Sequence, residues 1–199
     1  MNTIMLVSEE KWAELESQYL EGIKRVFTPA DLFNNKAELY INLEEDADTL
    51  NYDKLGAAVL INSVATPLHS ITQNKKTVRM NGWTGFLKNQ VWEISGPALP
   101  EVESFAKHLK KDLIYTMDVP GFISARVISM IINEAYLSLQ DGISSREDID
   151  IAMKLGTGYP HGPFAWASLI GEKEILKLLN KLSETDSRFL PASNLVSNK

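Results

Sequence analysis

The feature that most constrains this chain is the stretch from Asp118 to Gly171, DVPGFISARVISMIINEAYLSLQDGISSREDIDIAMKLGTGYPHGPFAWASLIG. Within it Phe122, Ile123, Val127, Ile128, Ile131, Ile132, Ala135, Tyr136 and Leu139 recur at three- and four-residue spacing. That spacing predicts a long helix, apolar round most of its circumference, which must be covered by its own domain or by a second subunit. Val119-Pro120-Gly121 reads as its start, with Pro120 in the first turn, where a missing N–H breaks no bond. Asp141-Gly142 reads as its end. Ser144 and Glu147 fit a capping box for a second helix over 148–155, stopped by Gly156 and Gly158. Tyr159 to Phe164 (YPHGPF) makes a rigid turn into a third helix. A fourth, over 172–182, carries Ile175, Leu176, Leu178, Leu179 and Leu182, and the remaining residues read as a trailing tail.

Ahead of Asp118 the pattern alternates. Apolar runs over 3–7, 23–27, 37–43, 57–63, 78–83, 90–94 and 113–117 predict strands. Helices are expected over 9–20, 29–33 and 100–110, the first with Trp12, Leu15, Tyr19 and Leu20 facing inward. Strand and helix in alternation with short links imply a mostly parallel sheet covered by helices. The acidic run Glu44–Asp48 reads as a solvated loop. The expected division is an α/β domain over 1–117 and a helical domain over 118–199.

Composition narrows the chemistry. The chain has 199 residues, 44% of them apolar, which suffices for a real core. It holds no cysteine, which excludes disulfides, a thiolate nucleophile and a thiolate metal site. Its three histidines lack metal-ligand spacing. A formal net charge of −6 argues against nucleic acid or an anionic membrane as partner. No apolar run reaches the length needed to cross a bilayer, and MNTIMLVSEEKW lacks a signal-peptide pattern, so a cytoplasmic protein is expected.

The segments PGFISARV, NEAYLSLQDGISSREDIDIAMKLGTGYPHGPF and SLIG resemble the C-terminal domain of 3-hydroxyacyl-CoA dehydrogenases. A fainter resemblance extends through VLINSVATPLHSI, VRMNGWTGFLKNQVWEISGP and PEVESFAKHLKKDLIYTMDVPGF, while the first 55 or so residues match in architecture alone. The resemblance implies an α/β plus all-α fold: a shortened Rossmann-like sheet domain followed by a helical domain that forms a homodimer. Trp166 and the Leu169-Ile170 pair would then serve as interface anchors or as ordinary core. It also implies NAD-dependent oxidation of 3-hydroxyacyl-CoA in fatty-acid breakdown. In that reaction a histidine base takes the proton of the 3-hydroxyl and a glutamate orients the histidine.

Several positions depart from the family's pattern. A dinucleotide site needs a glycine turn between first strand and first helix, where the helix N-terminus faces the pyrophosphate. This chain has MLVSEEKWAEL there, with no glycine and with Glu9 and Glu10 at the helix start. No cofactor is therefore expected, and NAD only if the family's activity survives. Asn81 or Gly82 stands where the resemblance puts the histidine, and Ala125 where it puts an asparagine. Glu93 is the counterpart of the glutamate, either a retained pocket carboxylate and the candidate catalytic residue or an ordinary surface or satisfied side chain. Asn62 and Ser63 fall in the family's serine and asparagine turn, and with Asn81 they are the candidate substrate contacts. Of the histidines, His161 is expected to pack on or cap the following helix and His108 to be solvated, while His69 has no local carboxylate partner. Two readings result. One is a degenerate relative, a pseudoenzyme or dimeric acyl-ligand-binding or scaffold protein, with an acyl-CoA-like ligand and neither nucleic acid nor membrane as partner. The other is an active NAD-dependent enzyme, either by itself or with a partner chain supplying the missing base and cofactor site.

Overall fold

The computed structural model describes residues 1–15 and 19–197, and its contacts divide the chain into two units, residues 1–122 and 123–199. In the first unit one sheet is built from β1 (Thr3–Leu6), β2 (Ile23–Val26), β3 (Leu39–Asn42), β4 (Ala58–Asn62), β5 (Thr77–Met80), β6 (Val91–Ser95) and β7 (Asp112–Tyr115). Their spatial order is β2-β1-β3-β4-β5-β6-β7. The strands from β2 across to β5 run parallel, β6 turns antiparallel to β5, and β7 runs parallel to β6. Every residue of β1, β3, β4 and β5 is buried, as a parallel sheet covered on both faces requires.

Alternation along each strand sends neighbouring side chains to opposite faces. Met5, Leu39, Ile41, Leu60, Val78 and Met80 join Trp92 and Phe105 in one core cluster. Ile4, Leu6, Tyr40, Val59 and Ile61 join Leu32 and Tyr52 in the other. Leu32 comes from helix α2 (Pro29–Asn34), which opens on Thr28 as cap and Pro29 at its first turn. Phe105 comes from α3 (Pro100–His108). The first helix, α1 (Glu9–Glu14), is shorter than its spacing predicts. Leu15 and Leu20 are buried as expected, Trp12 and Tyr19 half-buried, and residues 16–18 of that expectation lie outside the described residues.

The acidic run is not a solvated loop. Residues Ala47–Thr49 form a 3-10 turn with Ala47 buried, and the Tyr52 hydroxyl donates to the Ala47 carbonyl at 2.8 Å. Glu44, Glu45 and Asp48 are only half-exposed.

The second unit contains α4 (Ser124–Gln140), α5 (Arg146–Thr157), α6 (Pro163–Ile170), α7 (Glu172–Ser183) and α8 (Ser193–Ser197). α4 starts later than Val119-Pro120-Gly121 suggests, because Gly121 and Phe122 both take positive φ (95° and 49°), which no right-handed helix admits. α5 is capped by Ser145 rather than Ser144: its Oγ accepts from the Asp148 N–H at 3.1 Å. Asp148 takes the third helical position, moving the box by one residue. The helix then passes through Gly156 and ends at a left-handed Gly158.

The YPHGPF turn has a steric cause. Asp150 of α5 reaches across to α6, where Oδ1 accepts from the Phe164 N–H at 2.7 Å and Oδ2 from the Ala165 N–H at 3.0 Å. A Cβ on residue 162 would lie 2.3 Å from the Asp150 Cγ, so only glycine fits there. Pro163 supplies the first helical position without wasting a donor. The C-terminal segment does not trail off. Phe189, Ala192 and Leu195 are buried, and Asn133 of α4 donates to the Leu190 carbonyl and accepts from the Ala192 N–H.

Candidate functional site

The chain leaves β1 for β2 on one side and returns to β3 on the other, so a topological switch point lies between β1 and β3. Open parallel sheets bind ligands outside the carboxyl ends of their strands at such a point. A crevice of about 250 Å³ opens here, lined by Leu6, Val7, Ser8, Phe27, Pro29, Glu44 and Asp46. Glu9 stands at the start of α1, held at 2.7 Å by Arg25, whose guanidinium also lies over the Trp12 and Phe27 rings.

Behind this crevice runs a polar chain that spacing does not disclose. Lys11 is 3% exposed, and its Nζ lies 2.5 Å from Glu45 Oε1 and donates to the Leu43 carbonyl at 2.5 Å. The other Glu45 oxygen accepts from Asn62 Nδ2 at 3.1 Å. Asn62 Oδ1 in turn accepts from the Gly82 N–H at 3.1 Å. A side chain at Gly82 would press on the Asn62 Cβ at 3.0 Å. Lys11, Glu45, Asn62 and Gly82 thus link the junction after β1 to the ends of β3, β4 and β5. In the sequence Lys11 is one charge in a charged helix and Glu45 one acid in a run; only their spatial meeting marks them.

The structure brings the candidate substrate contacts together. Asn62 ends β4, and Ser63 follows it, 3% exposed, its N–H donating to the Met80 carbonyl and its hydroxyl to the Thr66 carbonyl at 2.7 Å. Asn81 follows β5, 4% exposed, and its side-chain oxygen accepts from the Trp83 N–H at 3.4 Å. The Asn81 N–H donates to the Glu93 carbonyl at 3.0 Å, which puts the half-buried Glu93 at the same edge of the sheet. Ala125 is fully buried in α4, in the other unit.

His161 packs on Trp166, ring centroids 6.1 Å apart, and His108 is exposed with Nε2 2.7 Å from the Tyr19 carbonyl oxygen. His69 is exposed, but its Nδ1 lies 3.7 Å from Asp118, a carboxylate remote in sequence. Among the described residues no group of three or more His, Asp or Glu is placed to hold a metal ion, and no helix is long and apolar enough to cross a membrane.

Residues 121–197 match the family model described as 3-hydroxyacyl-CoA dehydrogenase, C-terminal domain. That segment carries the C-terminal domain of the 3-hydroxyacyl-CoA dehydrogenase family. It is 44% identical over 87 residues to 3-hydroxyadipyl-CoA dehydrogenase of Escherichia coli strain K12, covering 43% of this chain and 18% of that protein. It is 40% identical over 81 residues to 3-hydroxybutyryl-CoA dehydrogenase of Clostridioides difficile, covering 41% and 29%. The matched segments span less than a third of either relative. Over 98% of its length the chain shares its fold with (S)-3-hydroxybutyryl-CoA dehydrogenase from Ralstonia eutropha, at a TM-score of 0.67 and 19% identity, covering 92% of that chain. The fold class is thus that of 3-hydroxyacyl-CoA dehydrogenases: a Rossmann-like, mostly parallel sheet followed by a helical domain.

Proposed function

We propose that this chain is a 3-hydroxyacyl-CoA dehydrogenase relative that no longer transfers hydride, and acts as a dimeric acyl-ligand-binding or scaffold protein. The observation that carries this reading is the β1–α1 junction. A nicotinamide dinucleotide needs close backbone approach and free N–H groups at a helix start. Here Ser8 Oγ already accepts from the Lys11 N–H, Glu9 and Glu10 stand in the first turn of α1, and Glu44 and Asp46 line the crevice. Lys11 is spent inside the protein on Glu45, and Arg25 on Glu9 and the Val7 carbonyl. These residues do not fit a pyrophosphate. The base position supports the same reading, since the Asn81 amide cannot take a proton near neutral pH.

At the carboxyl ends of β4 and β5, the buried Asn62 and Ser63 hold the local backbone and Glu45 in place, and the half-buried Glu93 is the carboxylate that a carbonyl-bearing acyl ligand would meet there. The dimer is supported by α5, which buries none of its residues and leaves Ile151 and Leu155 at 55% and 79% exposure. Apolar residues left uncovered along a whole helix mark an interaction face. An active enzyme completed by a partner chain is the competing reading, and the 44% identity of the helical segment to a dehydrogenase favours it. Titrating acetoacetyl-CoA into the purified protein in a calorimeter, with and without NADH, separates the two. Saturable heat independent of NADH fits the binding protein, whereas binding that appears only with NADH overturns it.

A further inference from the structure

Arg79 of β5 is wholly buried, and no role in the candidate site calls for it. A guanidinium taken out of water must be paired and hydrogen-bonded on every side. Here Nε donates to Asp118 Oδ1 at 2.6 Å, Nη1 to the Ser63 and Val64 carbonyls at 2.9 and 3.4 Å, and Nη2 to the Val119 carbonyl at 2.6 Å. Its flat face lies 4.3 Å over the Phe122 ring. These partners fall on two segments: the turn after β4 and the connector 118–122 that leads toward the helical unit. The segments also hold each other, because the Gly121 N–H donates to the Val64 carbonyl at 2.8 Å and Asp118 accepts from the Leu68 N–H.

We infer that Arg79 fastens the 63–68 turn and the 118–122 connector into one block. The joint of the chain then begins after Phe122, not at Asp118, where the sequence places the domain boundary. Phe122 keeps a φ of 49°, which a free connector would relax; a non-glycine residue stays there only when its surroundings over-determine it. The inference is independent of whether the protein turns over substrate, and it makes Arg79 a positioning residue for the turn that carries Ser63.

Hydrogen exchange by mass spectrometry on the full chain tests it. In Arg79→Met, peptides covering 63–70 and 117–123 should exchange together, on the order of ten-fold faster, while β1 and β3 keep their rates. Arg79→Lys keeps the charge but not the fork, and should loosen the same two segments less. Asp118→Asn, nearly unchanged in shape, gives the same reading if Arg79→Met does not fold, again with both segments loosened together. Exchange that rises in one segment alone, in neither, or uniformly along the chain would overturn the inference.

Discussion

At the scale of single residues, two positions carry effects large enough to measure. Gly162 is fixed by the Asp150 carboxylate that caps α6, with no room for a Cβ. Gly162→Ala should displace that cap and cost about 1–2 kcal/mol of helical-unit stability in urea denaturation. Asp150→Asn, which keeps one acceptor, should cost less. Asp118 is the second. Burial raises its pKa, but hydrogen bonds from Arg79 and the Leu68 and His69 N–H groups, with the Arg79 charge, outweigh burial and hold the carboxyl below its usual range. A carboxyl depressed in the folded state adds stability that is full above its unfolded pKa and lost as pH falls through the folded one. Thermal stability should therefore drop as pH falls below about 4, and Asp118→Asn should flatten that part of the curve. A wild-type melting profile that stays level through this range would contradict the pairing.

At the scale of elements, periodicity disclosed what packing decides and missed what distant partners decide. The seven strands and the helices α4 to α7 follow from alternation, from 3.6-residue spacing and from turn residues. The start of α4 was not legible, since positive φ at Phe122 depends on Arg79 stacking over its ring. Nor was the packed C-terminal segment, whose three buried apolar residues lie among polar ones and are secured by Asn133. Of the candidate site, Asn62, Ser63, Asn81 and Glu93 are proposed from the family resemblance. The Lys11–Glu45 pair was not, because its meaning lies in a contact between two charged stretches far apart in sequence. That pair makes an asymmetric prediction. Glu45→Ala leaves the Lys11 ammonium buried against one carbonyl and should cost about 3 kcal/mol or more, as an orphaned buried charge does. Lys11→Met removes the charge and fills similar volume, leaving Glu45 at 37% exposure to hydrate, and should cost distinctly less in chemical denaturation. Equal losses would mean that the pair is not a buried ion pair in solution.

At the scale of the whole molecule, the fold is that of 3-hydroxyacyl-CoA dehydrogenases, and the proposed dimer predicts a mass. Light scattering should give twice the chain mass of 22.3 kDa. Replacing both Ile151 and Leu155 with Glu should return the monomer without unfolding it, because neither side chain belongs to the core of its own unit. A wild-type protein that elutes as a monomer at micromolar concentration would remove the dimer from the proposal.

The most direct test of the central claim is NADH binding to the purified protein, followed by NADH oxidation in the presence of acetoacetyl-CoA. The carboxylates around the β1–α1 junction and the amide at Asn81 predict no saturable binding and no turnover above the enzyme-free rate. Saturable NADH binding with turnover would contradict the account and establish a working dehydrogenase whose base is a group other than residue 81.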